Sequence, residues 1–182
     1  MKILTIEVNA ECTGADLKGL LKSAYYDPNP VVLLEHKGLY WSKVPGTEDA
    51  KTIEPAADYI LPLGKGCVSL AADDTCVENG DSVCVITYGM GVHWATQAAK
   101  DFDGQIEVID IRTIYPLDED LIYSRVKKHG KCLVLTEEQL NNSFCEALAG
   151  RIAQHCFTAL DAPVFTMGAL NLPAVPMNIH LE

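Results

Sequence analysis

Asp110, Arg112, Glu137 and Glu138 are the residues whose type and placement could carry chemistry. The first two close the apolar run Gln105 to Ile111, the second two follow the run Lys131 to Thr136, and Tyr88 with Gly89 follows a third, Ser82 to Thr87. If these runs are strands of one open α/β sheet, their carboxyl ends form a rim where ligands and partners tend to meet. An acid, a guanidinium and two further carboxylates on such a rim could bind or catalyse. They could equally form an ion-pair network at a domain or subunit contact. No nucleophile or metal triad accompanies them, so the pattern points to contact rather than catalysis. Tyr88, His93, Asp110, Arg112, Glu137 and Glu138 are therefore the interface candidates, and no catalytic, cofactor-binding or metal-ligating residue is assigned.

Other motifs carry less. Gly89-Met90-Gly91 opens a helix after a strand, where free amides can hold a phosphate. The dinucleotide pattern G-x-G-x-x-G is incomplete, because Trp94 stands where the third glycine belongs, so tight backbone turning explains the glycines better. His36, His93, His129, His155 and His180 show no H-x-x-x-H spacing. His129 suits a helix C-terminus and His155 has polar neighbours. His36 leaves the apolar run Val31 to Leu34, either as a solvated strand exit or at the margin of an active site. The seven cysteines include no C-x-x-C pair, and Cys84 and Cys132 sit inside apolar runs, where cysteine acts as a small hydrophobe. Their odd number favours free thiols, a reducing compartment and a cytoplasmic location over a disulfide or zinc framework.

The bulk composition narrows the partners. In 182 residues, 48% hydrophobic and 21% charged, a sizeable core can be buried. The net charge of −11 argues against nucleic acid and anionic membrane while permitting a basic partner. No apolar stretch reaches the ~20 residues of a membrane-spanning helix.

Three segments position the candidates. Residues 1–40 read as strand, helix, strand. Thr13 to Asp16 has the form of a capping box, and Leu17, Leu20, Leu21 and Ala24 make a helical face. Asp27-Pro28-Asn29-Pro30 stops the helix, and Val31 to Leu34 reads as a strand covered on both faces. Residues 41–63, with Pro45-Gly46, Pro55 and Pro62, read as an ordered linker. Residues 64–182 alternate strands and helices. A strand within Gly64 to Leu70 and a hairpin or surface loop at Ala71 to Gly80 come first. Strands at Ser82 to Thr87, Gln105 to Ile111, Lys131 to Thr136 and Pro163 to Met167 follow. Val92, Ala95, Ala99 and Phe102 mark one helix, and Phe144, Leu148, Ile152 and Cys156 another. Between them, Asp118 caps a helix that ends in Lys127-Lys128-His129 before Gly130, charges that suit the helix dipole. This alternation predicts a three-layer α/β/α fold with a mainly parallel sheet.

Taken in order, the stretches ADLKGLLKSA (Ala15 to Ala24), NPVVLLEHKGLY (Asn29 to Tyr40), ILPLGKG (Ile60 to Gly66), TYGMGVH (Thr87 to His93), DIRTIYPLD (Asp110 to Asp118), LTEE (Leu135 to Glu138) and DAPV (Asp161 to Val164) resemble the beta subunit of 2-oxo acid dehydrogenase decarboxylase components, of pyruvate and branched-chain types. The transketolase-type carboxy-terminal domain is shared more widely, with transketolase and deoxyxylulose-phosphate synthase as more distant relatives. The resemblance implies that residues 1–40 are the last helix and strand of a pyrimidine-binding domain and that residues 64–182 are the carboxy-terminal domain. It implies a parent enzyme that decarboxylates a 2-oxo acid on thiamine diphosphate with magnesium and passes the acyl group to lipoyl. Its partners would be an alpha subunit, a second beta copy in a homo-oligomer, and the acyltransferase core.

The family's essential glutamate and its G-D-G…N-N cofactor motif fall outside the matched stretches; Gly80-Asp81-Ser82 and the distant Asn141-Asn142 have the wrong spacing. No thiamine diphosphate or magnesium is therefore expected on this chain alone, and both of its ends read as those of an excised or truncated piece. Asn141-Asn142-Ser143-Phe144-Cys145 stands where many relatives have a glycine-rich turn. A reading of a different class, a free-standing ligand-binding or receiver-like module using the strand-end acids, predicts magnesium or small-molecule binding that depends on Asp110.

Overall fold

The protein is described from a computed structural model, which covers residues 4–8, 14–36, 39 and 44–171. Thr13 of the expected capping box, residues 41–43 of the linker, Cys12 and His180 lie outside these residues.

The first unit is a parallel strand–helix–strand crossover. Strand β1 (Leu4–Val8) pairs with β2 (Val31–Glu35), Leu4 opposite Val31, and helix α1 (Gly14–Tyr26) runs between them. Leu20 is the fully buried centre of this unit, packed by Leu17, Ala24, Val31 and Leu33 and by Leu61 and Leu63 of the linker. Gly19 permits that contact: a Cβ there would lie 2.7 Å from the Tyr59 ring and 2.8 Å from Leu61 Cβ. Past the helix, which stops at Asp27-Pro28-Asn29-Pro30 as expected, Asp27 Oδ1 accepts from the Asn29 amide at 2.8 Å. Expected to be covered on both faces, β2 is covered on one. Val31 and Leu33 face α1, while Val32 and Leu34 remain exposed because the crossover helix covers a single side of the sheet.

The second unit holds a five-stranded sheet in the order β3 (Cys67–Leu70), β5 (Ile106–Asp110), β4 (Val83–Thr87), β6 (Cys132–Gln139), β7 (Phe165–Ala169). Every pairing is parallel except β3 with β5, so the expected mainly parallel sheet is what forms. Alternation along the strands sorts the core into two layers. Val85, Val108 and Leu135 pack with Val92 and Ala95 of α3 (Met90–Ala99) on one face. Ile86, Ile109 and Val134 pack on the other with Ile122 and Val126 of α4 (Glu119–His129) and Leu148 and Ile152 of α5 (Phe144–His155). Helices on both faces of the sheet make the three-layer α/β/α fold.

Two local expectations need correction. The segment 71–80 contains a short helix, α2 (Asp74–Glu78), instead of a hairpin or plain loop. Phe102 falls beyond the end of α3 and is half exposed, because the chain turns at Asp101 and Gly104 before entering β5. The caps of α4 are as expected: Asp118 accepts from the Leu121 amide and Gly130 takes the left-handed conformation at φ 68°. At the start of α5, Ser143 accepts from the Glu146 amide at 3.2 Å, and Glu146 Oε2 accepts from the Asn142 amide at 2.7 Å. Asn142 adopts φ 61°, the left-handed geometry that a glycine would otherwise supply there.

Candidate functional site: the junction of two carboxyl edges

The carboxyl ends of β4, β5 and β6 bring Tyr88, Asp110, Arg112, Glu137 and Glu138 onto one rim, and that rim faces the first unit. The turn after β5 is built by its own side chains. Asp110 Oδ1 accepts from the Arg112 amide at 2.9 Å, which fixes Arg112 at φ 54°. A left-handed non-glycine residue costs about 1–3 kcal/mol and persists only when its surroundings hold it. Thr113, fully buried, donates from Oγ1 to the Pro116 carbonyl at 2.8 Å and accepts from the Gly64 amide at 3.2 Å. Asp118 accepts from the Gly66 amide at 3.3 Å. The segment from Asp110 to Asp118 thus stitches the rim to the end of the linker.

From that strained position the Arg112 guanidinium donates to Asp16 Oδ2 on the first turn of α1, at 2.7 Å. Both side chains are largely buried, and Tyr59 of the linker donates to Asp16 Oδ1 at 3.2 Å. Asp16 is therefore where α1, the linker and the β5 turn converge. A second contact spans the same junction: His36 Nε2, at the exit of β2, lies 3.3 Å from Glu137 Oε1, at the end of β6. Beside it, the Tyr88 hydroxyl donates to Glu138 Oε1 at 3.1 Å and lies 3.0 Å from Thr136 Oγ1. The Tyr88 ring meets Phe144 edge to face at a centroid distance of 6.0 Å. Cys67, paired with Asp110 across the sheet, has its thiol pushed up to about 11 by burial, with Asp110 adding to the rise.

Of the six candidates, five share this rim. The sixth, His93, is half buried on α3 and has an electrostatic neighbour in Glu48 of the linker. Sequence reasoning did not find Asp16 as a partner; it counted only the amide of that residue, in a helix cap. His36 was read as a strand exit with two possible roles, and its neighbour Glu137 comes from a strand 101 positions away.

A second polar cluster escaped the sequence entirely. Glu107 lies in the middle of β5 with no exposed surface. Arg125 Nε donates to Glu107 Oε1 at 2.5 Å and Arg125 Nη2 to Glu107 Oε2, a bidentate pair. His129 Nε2 lies 3.1 Å from Glu107 Oε1 at an angle short of a hydrogen bond, and His129 Nδ1 is 2.7 Å from Ser82 Oγ. Burial pushes the Glu107 carboxyl up, but the His129 and Arg125 contacts outweigh it and hold the group at about 2. This cluster ties α4 to β5 within the sheet unit.

Residues 75–182 match the family described as transketolase, C-terminal domain, and the chain belongs to that family. It is 40% identical over 173 residues to the 2-oxoisovalerate dehydrogenase subunit beta of Bacillus subtilis (strain 168), covering 93% of this chain and 48% of that subunit. It is 34% identical over 173 residues to the pyruvate dehydrogenase E1 component subunit beta of Rhizobium meliloti (strain 1021), covering 93% of this chain and 34% of the relative. Among solved structures, a split gene transketolase described as an inactive beta4 tetramer superposes with a TM-score of 0.63 at 16% identity, over 93% of this chain and 49% of that one. That likeness shows the fold. The chain spans about half or less of the length of these relatives.

Among the described residues the donors do not suit a metal-bound diphosphate. Among the described residues no group of three His, Cys, Asp or Glu side chains could hold a metal ion. The glycine turn at the start of α3 packs against the chain itself: a Cβ on Gly91 would lie 2.0 Å from Thr87 Oγ1. Gly91 therefore serves close packing. No described helix is long and apolar enough to cross a membrane.

Proposed function

We propose that this chain is the carboxy-terminal, non-catalytic portion of the beta subunit of a thiamine-diphosphate 2-oxo acid dehydrogenase, of pyruvate or 2-oxoisovalerate type. The observation that carries the reading is the match to the Bacillus subtilis subunit, which runs through 93% of this chain and so takes in both units. Residues 1–40 are the end of a pyrimidine-binding domain, 41–63 the linker, and 64–182 the carboxy-terminal domain. The Arg112–Asp16 and His36–Glu137 contacts support that division, because they join the first unit to the rim of the second.

In this reading the parent decarboxylates a 2-oxo acid on thiamine diphosphate with magnesium and transfers the acyl group to lipoyl. Those groups are held by parts of the relatives that this chain does not span. Its own residues build the scaffold against which an alpha subunit, a second beta copy and the acyltransferase core assemble. Tyr88, Asp110, Arg112, Glu137 and Glu138 shape the contact between the two units, and His93 the contact of α3 with the linker. The net charge of −11 favours a basic docking partner, since complementary charge speeds encounter.

The test is a fusion. The amino-terminal half of the Bacillus subtilis beta subunit is joined to this chain and assembled with the alpha subunit of that enzyme. Decarboxylation of 2-oxoisovalerate or pyruvate that requires thiamine diphosphate is the expected outcome. A folded, assembled fusion without turnover contradicts the reading.

A further inference from the structure

Asn79-Gly80 is an asparagine–glycine step at the end of α2, a five-residue helix with no buried residue. An asparagine side chain and the backbone nitrogen of the next residue can close a five-membered ring. The nitrogen attacks the side-chain amide carbon, the bond to the side-chain nitrogen breaks, and ammonia leaves with the proton of the attacking amide. Water then opens the succinimide at either carbonyl and leaves aspartate or isoaspartate. Glycine in the second position favours the attack because it has no Cβ to crowd it. The chain's other asparagines are all followed by residues with side chains, and the one before Pro30 meets a nitrogen without a hydrogen. Asn79 is exposed, and a Cβ on Gly80 would meet nothing within 4 Å, so nothing in the fold obstructs the approach.

The native cap holds the reaction back. Asn79 is helical at φ −79° and ψ −8°. Gly80, left-handed at φ 73°, donates its amide to the Val77 carbonyl at 3.1 Å, and Asp81 donates to the Cys76 carbonyl at 2.9 Å. These are the two bonds of a Schellman cap, and they occupy the nitrogen that must attack. Lys131 adds a tie by donating to the Gly80 carbonyl. The restraint is weak. A helix of five residues is marginal, and Asp81 stands where a hydrophobic residue often clamps such a cap.

We propose that Asn79 is a self-modification site gated by this cap, converting one way to aspartate and isoaspartate whenever α2 opens. Water is the only co-reactant. Isoaspartate lengthens the backbone by a methylene, so the Gly80 and Asp81 amides lose register with Val77 and Cys76. Either product also places a carboxylate at the helix C-terminus, against its dipole. Converted molecules therefore lose α2 and keep the sheet.

The experiment incubates the full chain in mildly alkaline buffer and follows the peptide holding residues 79–80 by mass spectrometry, with fragmentation that separates isoaspartate from aspartate. A gain of about one mass unit at Asn79 is expected, about tenfold slower in the folded chain than in guanidinium, since attack waits on local opening. Glu78→Gly lowers the helix propensity of an exposed α2 position and is expected to speed conversion of the folded chain about threefold. Asn79→Gln needs a six-membered ring and is expected to show no gain. Amide protection at Gly80 and Asp81 is expected to vanish in converted molecules while Val85, Ile86 and Ile109 keep theirs. A folded chain still unconverted at Asn79 when the unfolded chain is fully converted overturns the proposal. So do equal rates in the two states, indifference to Glu78→Gly, or a cap that stays protected after conversion.

Discussion

Arg112 reaches Asp16 across 96 positions of sequence, with Nη2 donating to Oδ2 at 2.7 Å, and does so from a left-handed backbone that Asp110 holds in place. The pair is a largely buried polar tie between the crossover unit and the five-stranded sheet. Losing one member takes a buried charge partner from the other, a loss that costs about 3–5 kcal/mol where a buried pair is broken. Arg112→Ala is thus expected to accelerate amide exchange in α1 and β2 while the protection of β4 and β5 stays. In a cycle with Asp16→Asn, a coupling near zero would show that the pair does not hold the units together.

The companion contact, His36 with Glu137, is more exposed, and pairs of this kind contribute about 0–1 kcal/mol. His36→Ala is expected to change exchange in β2 far less than Arg112→Ala does. An equal or larger effect, read by the same exchange experiment, would invert the ranking of the two ties.

Glu107 sets an acid limit on the sheet unit. Its carboxyl titrates at about 2 in the folded chain against an ordinary value of 4.5, so between those values the unfolded chain binds more protons than the folded one. Stability supplied by this group is complete above about pH 4.5 and declines as the pH falls toward 2. Denaturant titrations across that window should show the decline in the wild type and a smaller slope in Glu107→Gln. At neutral pH the same variant should be less stable by about 3 kcal/mol, because Arg125 loses its buried countercharge.

Four thiols, Cys84, Cys132, Cys145 and Cys156, share one core cluster. Burial pushes the thiol of Cys132 up to about 12 and that of Cys84 well above the ordinary range. A thiol-specific reagent is expected to modify these four only as the domain unfolds, in step with loss of helical signal. Rapid modification of any of them in the native protein would contradict the packing.

Periodicity was enough to place the second unit. The run VCVIT of Val83–Thr87 alternates between two helix-covered faces, and Asp118 with Gly130 brackets α4 by local capping chemistry alone. The rim was legible because strand ends in a parallel sheet converge wherever the strands are in order. The junction was not: Asp16 looks like an ordinary first-turn acid until the fold brings Arg112 to it. Glu107 resisted reading for a similar reason. A carboxylate inside the apolar run of β5 looks like a solvent-facing strand position, and only α4 crossing above it supplies Arg125 and His129. The exposed face of β2 misled in the opposite sense, since an apolar run records what a strand is built to be covered by, not what covers it in this chain.

We propose that this chain is a scaffold part of a thiamine-diphosphate enzyme, with the cofactor held by the portion of the relatives that it does not span. The decisive experiment is calorimetric titration of the full chain with thiamine diphosphate and magnesium, up to millimolar cofactor. No saturable heat is expected from the chain alone. Binding with a defined stoichiometry would contradict it, and binding lost on changing Asp110 would point instead to a ligand site at the strand-end rim.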